Sequence, residues 1–295
     1  MIKYINPGRA PLGFQRLGVF SSAEFALAYW VAGLMVMLLC IAAPGTNADQ
    51  TGSGVPDLER EQRMAEQIVD AILDGEPVDL QTREGLRFLA IHTRSVETPA
   101  SGTVIILHGR GFHPDSHNVV QPLRVGLTES GWDTLSIQLP VLGKDAKYND
   151  YVEIFDAANP RIETAIAEVR KTSAARLVLL AHSCGAHMAQ HWVHTRDRVK
   201  PEPLDAFIGI GMGATDFGQP MREPFALDQM AIPLLDVYAE NDFPAVLRMA
   251  PERLRAMERG GNEKNAQLMI ADSDHYFSDG ADALLQAIAA WLDKL

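Results

Sequence analysis

Seven short apolar runs separated by stretches of helical spacing constrain this chain more than any other feature. They read LRFLAIHTR (86–94), TVIILHG (103–109), WDTLSIQLP (132–140), RLVLLAHS (176–183), LDAFIGIG (204–211), PLLDVYAEN (233–241) and AQLMIAD (266–272). Several are nearly continuous Val, Ile and Leu, the pattern of strands buried on both faces by helices. Helical patterns fall near 119–130, 157–172, 185–197, 244–258 and 280–294. Such alternation predicts an α/β fold with a mostly parallel central sheet and helices on both faces. The 95–102 link is too short for a helical crossover, so the first strand is expected to run antiparallel. A further helix, 57–73, is read from Leu58, Met64, Ile68, Ala71 and Ile72.

The N-terminus has a different character. Residues 25–43 are 19 consecutive uncharged residues, and as a helix they reach roughly 28 Å, enough to cross a bilayer. Lys3, Arg9 and Arg16 precede them, which orients the following chain outward. A plausible cleavage site follows Ala48, so 1–48 reads as a cleaved signal peptide or an N-terminal membrane anchor, with a buried core helix as a third reading. Residues 49–56 read as a linker. Export to the periplasm or cell envelope is the expectation. Leu39 is bulky where a lipoprotein site needs a small residue, and loss of the leader with Cys40 leaves Cys184 as the sole thiol, so no internal disulfide forms. The net charge of −12 argues against nucleic acid as the main partner, because phosphate binding needs clustered Lys and Arg.

In an open α/β sheet, chemistry gathers at the carboxyl ends of the strands. The most informative strand-to-helix junction is LVLLAHSCGAHMA (177–189). Ser183 ends a hydrophobic strand and opens a helix, with Ala181 two residues before it and Gly185 two after. This is the pattern of a nucleophile elbow, with Ala in place of the usual first Gly. A bland alternative is that Ser183 only caps the helix. Cys184 is a poorer nucleophile candidate, since His182 would crowd the turn in its frame.

A serine needs a base. Of nine histidines, His275 alone follows the nucleophile helix, and it stands just after the last expected strand. A carboxylate must orient that imidazole. Asp242 closes the strand before it. Asp216 is the runner-up, and Glu240 and Asp236 are weaker, the latter lying mid-strand. The order Ser, Asp, His is that of α/β-hydrolases. Acyl transfer also needs N–H donors for the developing oxyanion. The Cys184 N–H is one candidate. The His108-Gly109-Arg110-Gly111 loop supplies the other, Arg110 first and Gly111 second. The Arg110 side chain is read as either solvated or turned toward an anionic substrate group.

Other signals carry less. His187, His191 and His194 share helical spacing but lack an H-E-x-x-H pattern. His113 and His117 read as loop residues. Neither a P-loop nor a dinucleotide fingerprint is present, so the reading calls for no cofactor and no metal. The segments 141–156 and 214–231 are the ones placed to cover the site.

Together ILHGRGFHPD, GWDTLSIQLP, AHSCGA, LDVYAENDFPAV and DSDHYF resemble the α/β-hydrolase superfamily. More closely, they are similar to a bacterial family of α/β-hydrolase-like proteins known only as a domain of unknown function. The resemblance spans roughly 60–295. It implies an α/β-hydrolase domain over 57–295 and the assignment Ser183, Asp242 and His275, and it implies no substrate. The leading expectation is an exported serine hydrolase acting on a small-molecule ester or acyl substrate, with a membrane tether through 25–43 if the leader is retained. Two other readings stand beside it. One is a non-catalytic envelope binding protein on a retired hydrolase fold, with Asp242 or His275 out of reach of Ser183. The other is a metal-dependent hydrolase using the histidine stripe.

Overall fold

A computed structural model describes residues 54–173, 175–196 and 203–295. The leader over 1–48, with Cys40, and most of the linker lie outside the described residues. Among those residues no helix is long and apolar enough to cross a membrane.

The first helix among the described residues is α1 (Leu58–Ile68), capped by the Asp57 carboxylate, which accepts from the Arg60 N–H at 2.8 Å. An eight-stranded sheet follows, built from β1 (Glu76–Gln81), β2 (Arg87–Thr93), β3 (Gly102–Leu107), β4 (Trp132–Ile137), β5 (Arg176–His182), β6 (Ala206–Ile210), β7 (Leu234–Asn241) and β8 (Ala266–Asp274). The spatial order is β1-β2-β4-β3-β5-β6-β7-β8. All pairings from β4 through β8 are parallel. As its short link requires, β2 runs antiparallel to β4. The expected helices are α2 (Val120–Gly126), α4 (Asn159–Thr172), α5 (Cys184–Thr195), α6 (Pro244–Gly260) and α7 (Ala281–Leu292); a short α3 (Tyr148–Val152) is additional.

Strand β1 has no counterpart among the seven apolar runs. Its sequence EPVDLQ buries only Leu80 fully, so it reads as polar chain. It forms because β2 offers it a hairpin partner at the sheet edge.

The period of two in the strands builds the two cores. Ile105, Leu107, Leu177, Leu179 and Ala181 face one side, where Ile162 of α4 and Met188 and Trp192 of α5 cover them. Val104, Ile106, Val178 and Leu180 face the other, under Leu123 of α2 and Leu284, Ile288 and Trp291 of α7. A buried bidentate pair ties α1 to this body: Arg161 donates to both Glu61 carboxylate oxygens, at 2.7 and 3.2 Å, and Glu61 accepts from the Val141 N–H. Burial pushes the Glu61 carboxyl above its usual range despite the Arg161 charge.

Candidate active site

Four loops leave the sheet at the carboxyl ends of β3, β5, β7 and β8. Parallel pairing puts these ends on one edge, with Leu107 opposite Ala181 and Ala181 opposite Gly209. A register shift between Ala239 and Asn241 marks a bulge where β7 meets β8.

Ser183 sits at the turn from β5 into α5 with φ 55° and ψ −120°. Such a backbone is costly for a residue with a side chain and marks an imposed geometry. Its N–H is tied to the Ile210 carbonyl at 2.8 Å. The turn needs small flanks. A Cβ on Gly185 would lie 2.5 Å from the His108 carbonyl oxygen, and Ala181 is fully buried between β3 and β6. Alanine therefore fits where glycine is usual.

The three separated side chains meet. The Ser183 Oγ lies 2.9 Å from His275 Nε2, and His275 Nδ1 lies 2.6 Å from Asp242 Oδ1. The Nδ1–H donates to the carboxylate, leaving Nε2 to accept from the serine hydroxyl. Asp242 is itself fixed, accepting from the Phe243 N–H at 2.7 Å and the Ala239 N–H at 3.2 Å. Phe243 stacks on the imidazole with ring centroids 4.2 Å apart. His182 supports the same loop by donating from Nε2 to the His275 carbonyl at 3.1 Å; burial pushes this ring down to about 3, so it stays neutral. Gly211 gives the ring room, since a Cβ there would lie 2.8 Å from His275 Cε1. Neither His182 nor Gly211 stood out in the sequence; only position beside the elbow and at a strand end signals them.

The rejected carboxylates have other partners. Asp236 is buried in β7 against Arg253 Nε at 2.8 Å and Gln267 Nε2 at 2.7 Å. Glu240 accepts from the Asp272 N–H at 2.9 Å. Asp216 binds Arg110 through two contacts, one at 3.2 Å, and also accepts from the Tyr148 N–H at 2.7 Å. The Arg110 side chain, 35% exposed, is thus held by the carboxylate that competed for the histidine. Burial alone would raise the Asp216 carboxyl, but these hydrogen bonds and the Arg110 charge hold it below its usual range.

The His108–Phe112 loop is a pinned turn. The Phe112 N–H bonds the Gly109 carbonyl at 3.3 Å and Gly111 takes φ 72°, as the third residue of a type II turn requires. His108 is buried, and burial pushes it down to about 3. Its Nε2 accepts from the Leu139 N–H at 2.9 Å, so Nδ1 carries the proton and donates to the Gly109 carbonyl at 2.8 Å. In a trans peptide the Arg110 N–H points away from that carbonyl. Arg60 on α1 grips the far corner, donating to the Gly111 carbonyl at 3.1 Å and to that of Leu142. In the sequence Arg60 is one more charge on an amphipathic helix, with nothing to mark its role. Among the described residues the N–H groups of Arg110 and Cys184 make no hydrogen bond. Burial pushes the Cys184 thiol up to about 12, so it is un-ionised near neutrality and a poor nucleophile.

A cleft of about 630 Å³ opens over Ser183 and Cys184. Tyr148, from the 141–156 stretch, and residues 214–220 line it, as expected of the covering segments. The histidine stripe of α5 scatters. His187 is buried beside Tyr148, Phe155 and Phe225, and His194 contacts the Pro224 carbonyl. His113 belongs to its own loop, accepting at Nδ1 from the Asp115 N–H. Among the described residues no group of three or more His, Cys, Asp or Glu side chains is placed to hold a metal ion.

His191 bridges Glu223 and Asp156, 2.7 Å from each. Burial would lower it, but the two carboxylates outweigh burial and hold it above the usual histidine range. A raised folded-state value stabilises the fold fully below the unfolded value of about 6.5, and that contribution is lost as pH rises through the folded value. Urea denaturation of wild type and His191→Gln should therefore give a stability gap that is larger near pH 6 than near pH 9. A gap that widens toward alkaline pH would contradict the bridge.

Solved structures share the fold at low identity. A serine hydrolase without lid from Xanthomonas campestris matches at TM-score 0.54 and 18% identity, covering 76% of this chain and 95% of that one. A serine hydrolase homologue from Coxiella burnetii matches at 0.56 and 19%, over 74% and 98%. The esterase domain of a Rhodothermus marinus protein matches at 0.53 and 17%, over 75% and 99%. No curated protein matches the chain. The family model described as protein of unknown function (DUF3530) matches residues 26–159 and 144–294; the chain belongs to that family and carries the α/β-hydrolase fold.

Proposed function

We propose that this protein is a serine hydrolase that cleaves carboxylic esters through an acyl-enzyme. The observation that carries the reading is the continuous hydrogen-bonded chain from Ser183 Oγ through His275 to Asp242, mounted on a strained turn at the mouth of a cleft. Ser183 Oγ attacks the ester carbonyl while His275 Nε2 takes its proton. The carbonyl oxygen becomes an oxyanion, held by the N–H groups of Cys184 and Arg110, with Gly111 as the second candidate in the turn. The tetrahedral adduct collapses, His275 protonates the departing alcohol, and the acyl group remains on Ser183. Water then attacks with the same proton relay and frees the acid. Asp242 keeps Nδ1–H of the ring directed at itself throughout. The retired-fold reading expects a broken triad, and the 2.9 and 2.6 Å contacts weigh against it.

A fluorophosphonate probe should label the wild type at Ser183 and leave Ser183→Ala unlabelled. Hydrolysis of 4-nitrophenyl esters should fall about 10³-fold or more in Ser183→Ala and in His275→Ala. An unlabelled wild type, or labelling that survives in Ser183→Ala, overturns the reading.

Arg60 acts here as a positioning residue, through the turn it grips. Arg60→Ala should lower kcat about tenfold with little change in KM, because the oxyanion donors serve the transition state and not the bound substrate. Arylboronic acid inhibitors, which mimic the tetrahedral adduct, should weaken in parallel, and Arg60→Lys should recover much of both. A rise in KM at constant kcat would refute the role.

Export belongs to the same reading, through a leader over 1–48 cut after Ala48 or kept as an anchor. N-terminal sequencing of the protein from an envelope fraction should return Asp49 or the intact leader. Recovery of the whole protein from the cytoplasm would refute export.

A further inference from the structure

We propose that the cleft takes an ester whose apolar body carries an anionic group, and that Arg248 meets that group. The inference rests on the hydrolase reading and narrows its substrate. Five aromatic side chains line the cleft: Phe112, Tyr148, Phe217, Phe243 and Tyr276. Phe217 is fully exposed at the rim, and Phe243, 39% exposed, offers the ring that stacks on His275. Rings with exposed faces beside a nucleophile suit an acyl chain or an aryl group.

The charges are the informative part. The chain as a whole is acidic, 38 carboxylates to 26 basic side chains, yet the charged residues lining the cleft are two arginines and one aspartate, Arg110, Arg248 and Asp216. Asp216 is already committed to Arg110 and the Tyr148 N–H. Of the carboxylates beside the cleft, Asp242 is buried behind His275, and Asp274, outside the lining, accepts from the Tyr276 and Ser278 N–H groups at 3.0 and 3.1 Å. Arg248, an exposed residue, has no such counter-charge: among the described residues its Nη1 donates to the Pro244 carbonyl one turn earlier, at 3.1 Å, and it forms no ion pair. The cleft thus holds a surplus cation in a protein that would otherwise repel anions. Such a charge over low-dielectric walls draws in anions and orients them, and a guanidinium suits a carboxylate or phosphate with two parallel hydrogen bonds.

The test uses two matched pairs of esters. In one the charge sits on the acyl end, mono-4-nitrophenyl adipate against 4-nitrophenyl hexanoate. In the other it sits on the alcohol, 4-carboxyphenyl butyrate against 4-methylphenyl butyrate. The anionic-to-neutral ratio of kcat/KM, read in a variant relative to wild type, cancels the intrinsic reactivity of each ester. For at least one pair it should fall about fivefold or more in Arg248→Glu, the order of a partly exposed ion pair. It should fall less in Arg248→Gln and hold in Arg248→Lys. Added salt should lower it in the wild type and not in Arg248→Gln. If Ser183 labels with fluorophosphonate while both ratios are unmoved by Arg248→Glu, this inference fails and the hydrolase reading stands. If Ser183 does not label, the hydrolase reading fails, and calorimetric binding of the same esters decides this inference on its own. Ser183→Ala must then bind the anionic member of a pair more tightly than the neutral one, and Ser183→Ala with Arg248→Glu must lose that preference; equal binding refutes it.

Discussion

Parallel pairing of β3, β5, β6, β7 and β8 is the constraint on which the site depends. Ser183, Asp242 and His275 are separated by 59 and then 33 residues. Only strands that all point the same way deliver such distant loops to one edge. Register then places them finely: His182 opposite Ile210, Ile210 opposite Val237, and a bulge where β7 meets β8. The strain at Ser183 is tolerated because every neighbour of the turn is fixed by the sheet, with its N–H held by the β6 carbonyl and its flanks too small to resist. The large buried apolar faces of the strands, not the site itself, sustain that geometry.

Around this edge, burial sorts the ionisable groups by role. His108 and His182 are forced to stay neutral, so each can serve as a fixed donor and acceptor in the scaffold without changing charge. Cys184 is kept protonated. Asp216 and Arg110 neutralise each other across the cleft wall. On the proposed reading, the groups left to engage a small molecule are the Ser183–His275 pair, the backbone N–H groups beside it, and Arg248.

Much of this was legible in the sequence. The continuous apolar runs at 103–109 and 176–183 could only be strands covered on both faces, and the small residues around Ser183 signalled a tight strand-to-helix turn. Position after a strand was enough to choose Asp242 over Asp236, because mid-strand side chains are buried by the packing helices. Position alone could not show what Asp216 does instead, since its partner Arg110 lies 106 residues away and a cross-loop ion pair leaves no periodic trace. The same holds for Arg60, whose acceptors are backbone carbonyls and so have no residue type to read. Strand β1 was hidden for a different reason: an edge strand with one buried side chain carries almost no hydrophobic signal.

The attachment of α1 alters where the working unit of this protein begins. Judged by the sheet alone, everything before β1 looks like a dispensable extension. Yet the guanidinium that steadies the Gly111 corner belongs to that extension, and Asp57 secures it twice, capping α1 and bonding its own N–H to the Val141 carbonyl at 2.8 Å. A shortened version that starts at the first strand would lose the clasp on the neighbouring turn and leave the buried Arg161 without its Glu61 partner. The smallest piece that keeps this clasp therefore starts at Asp57, not at the first strand.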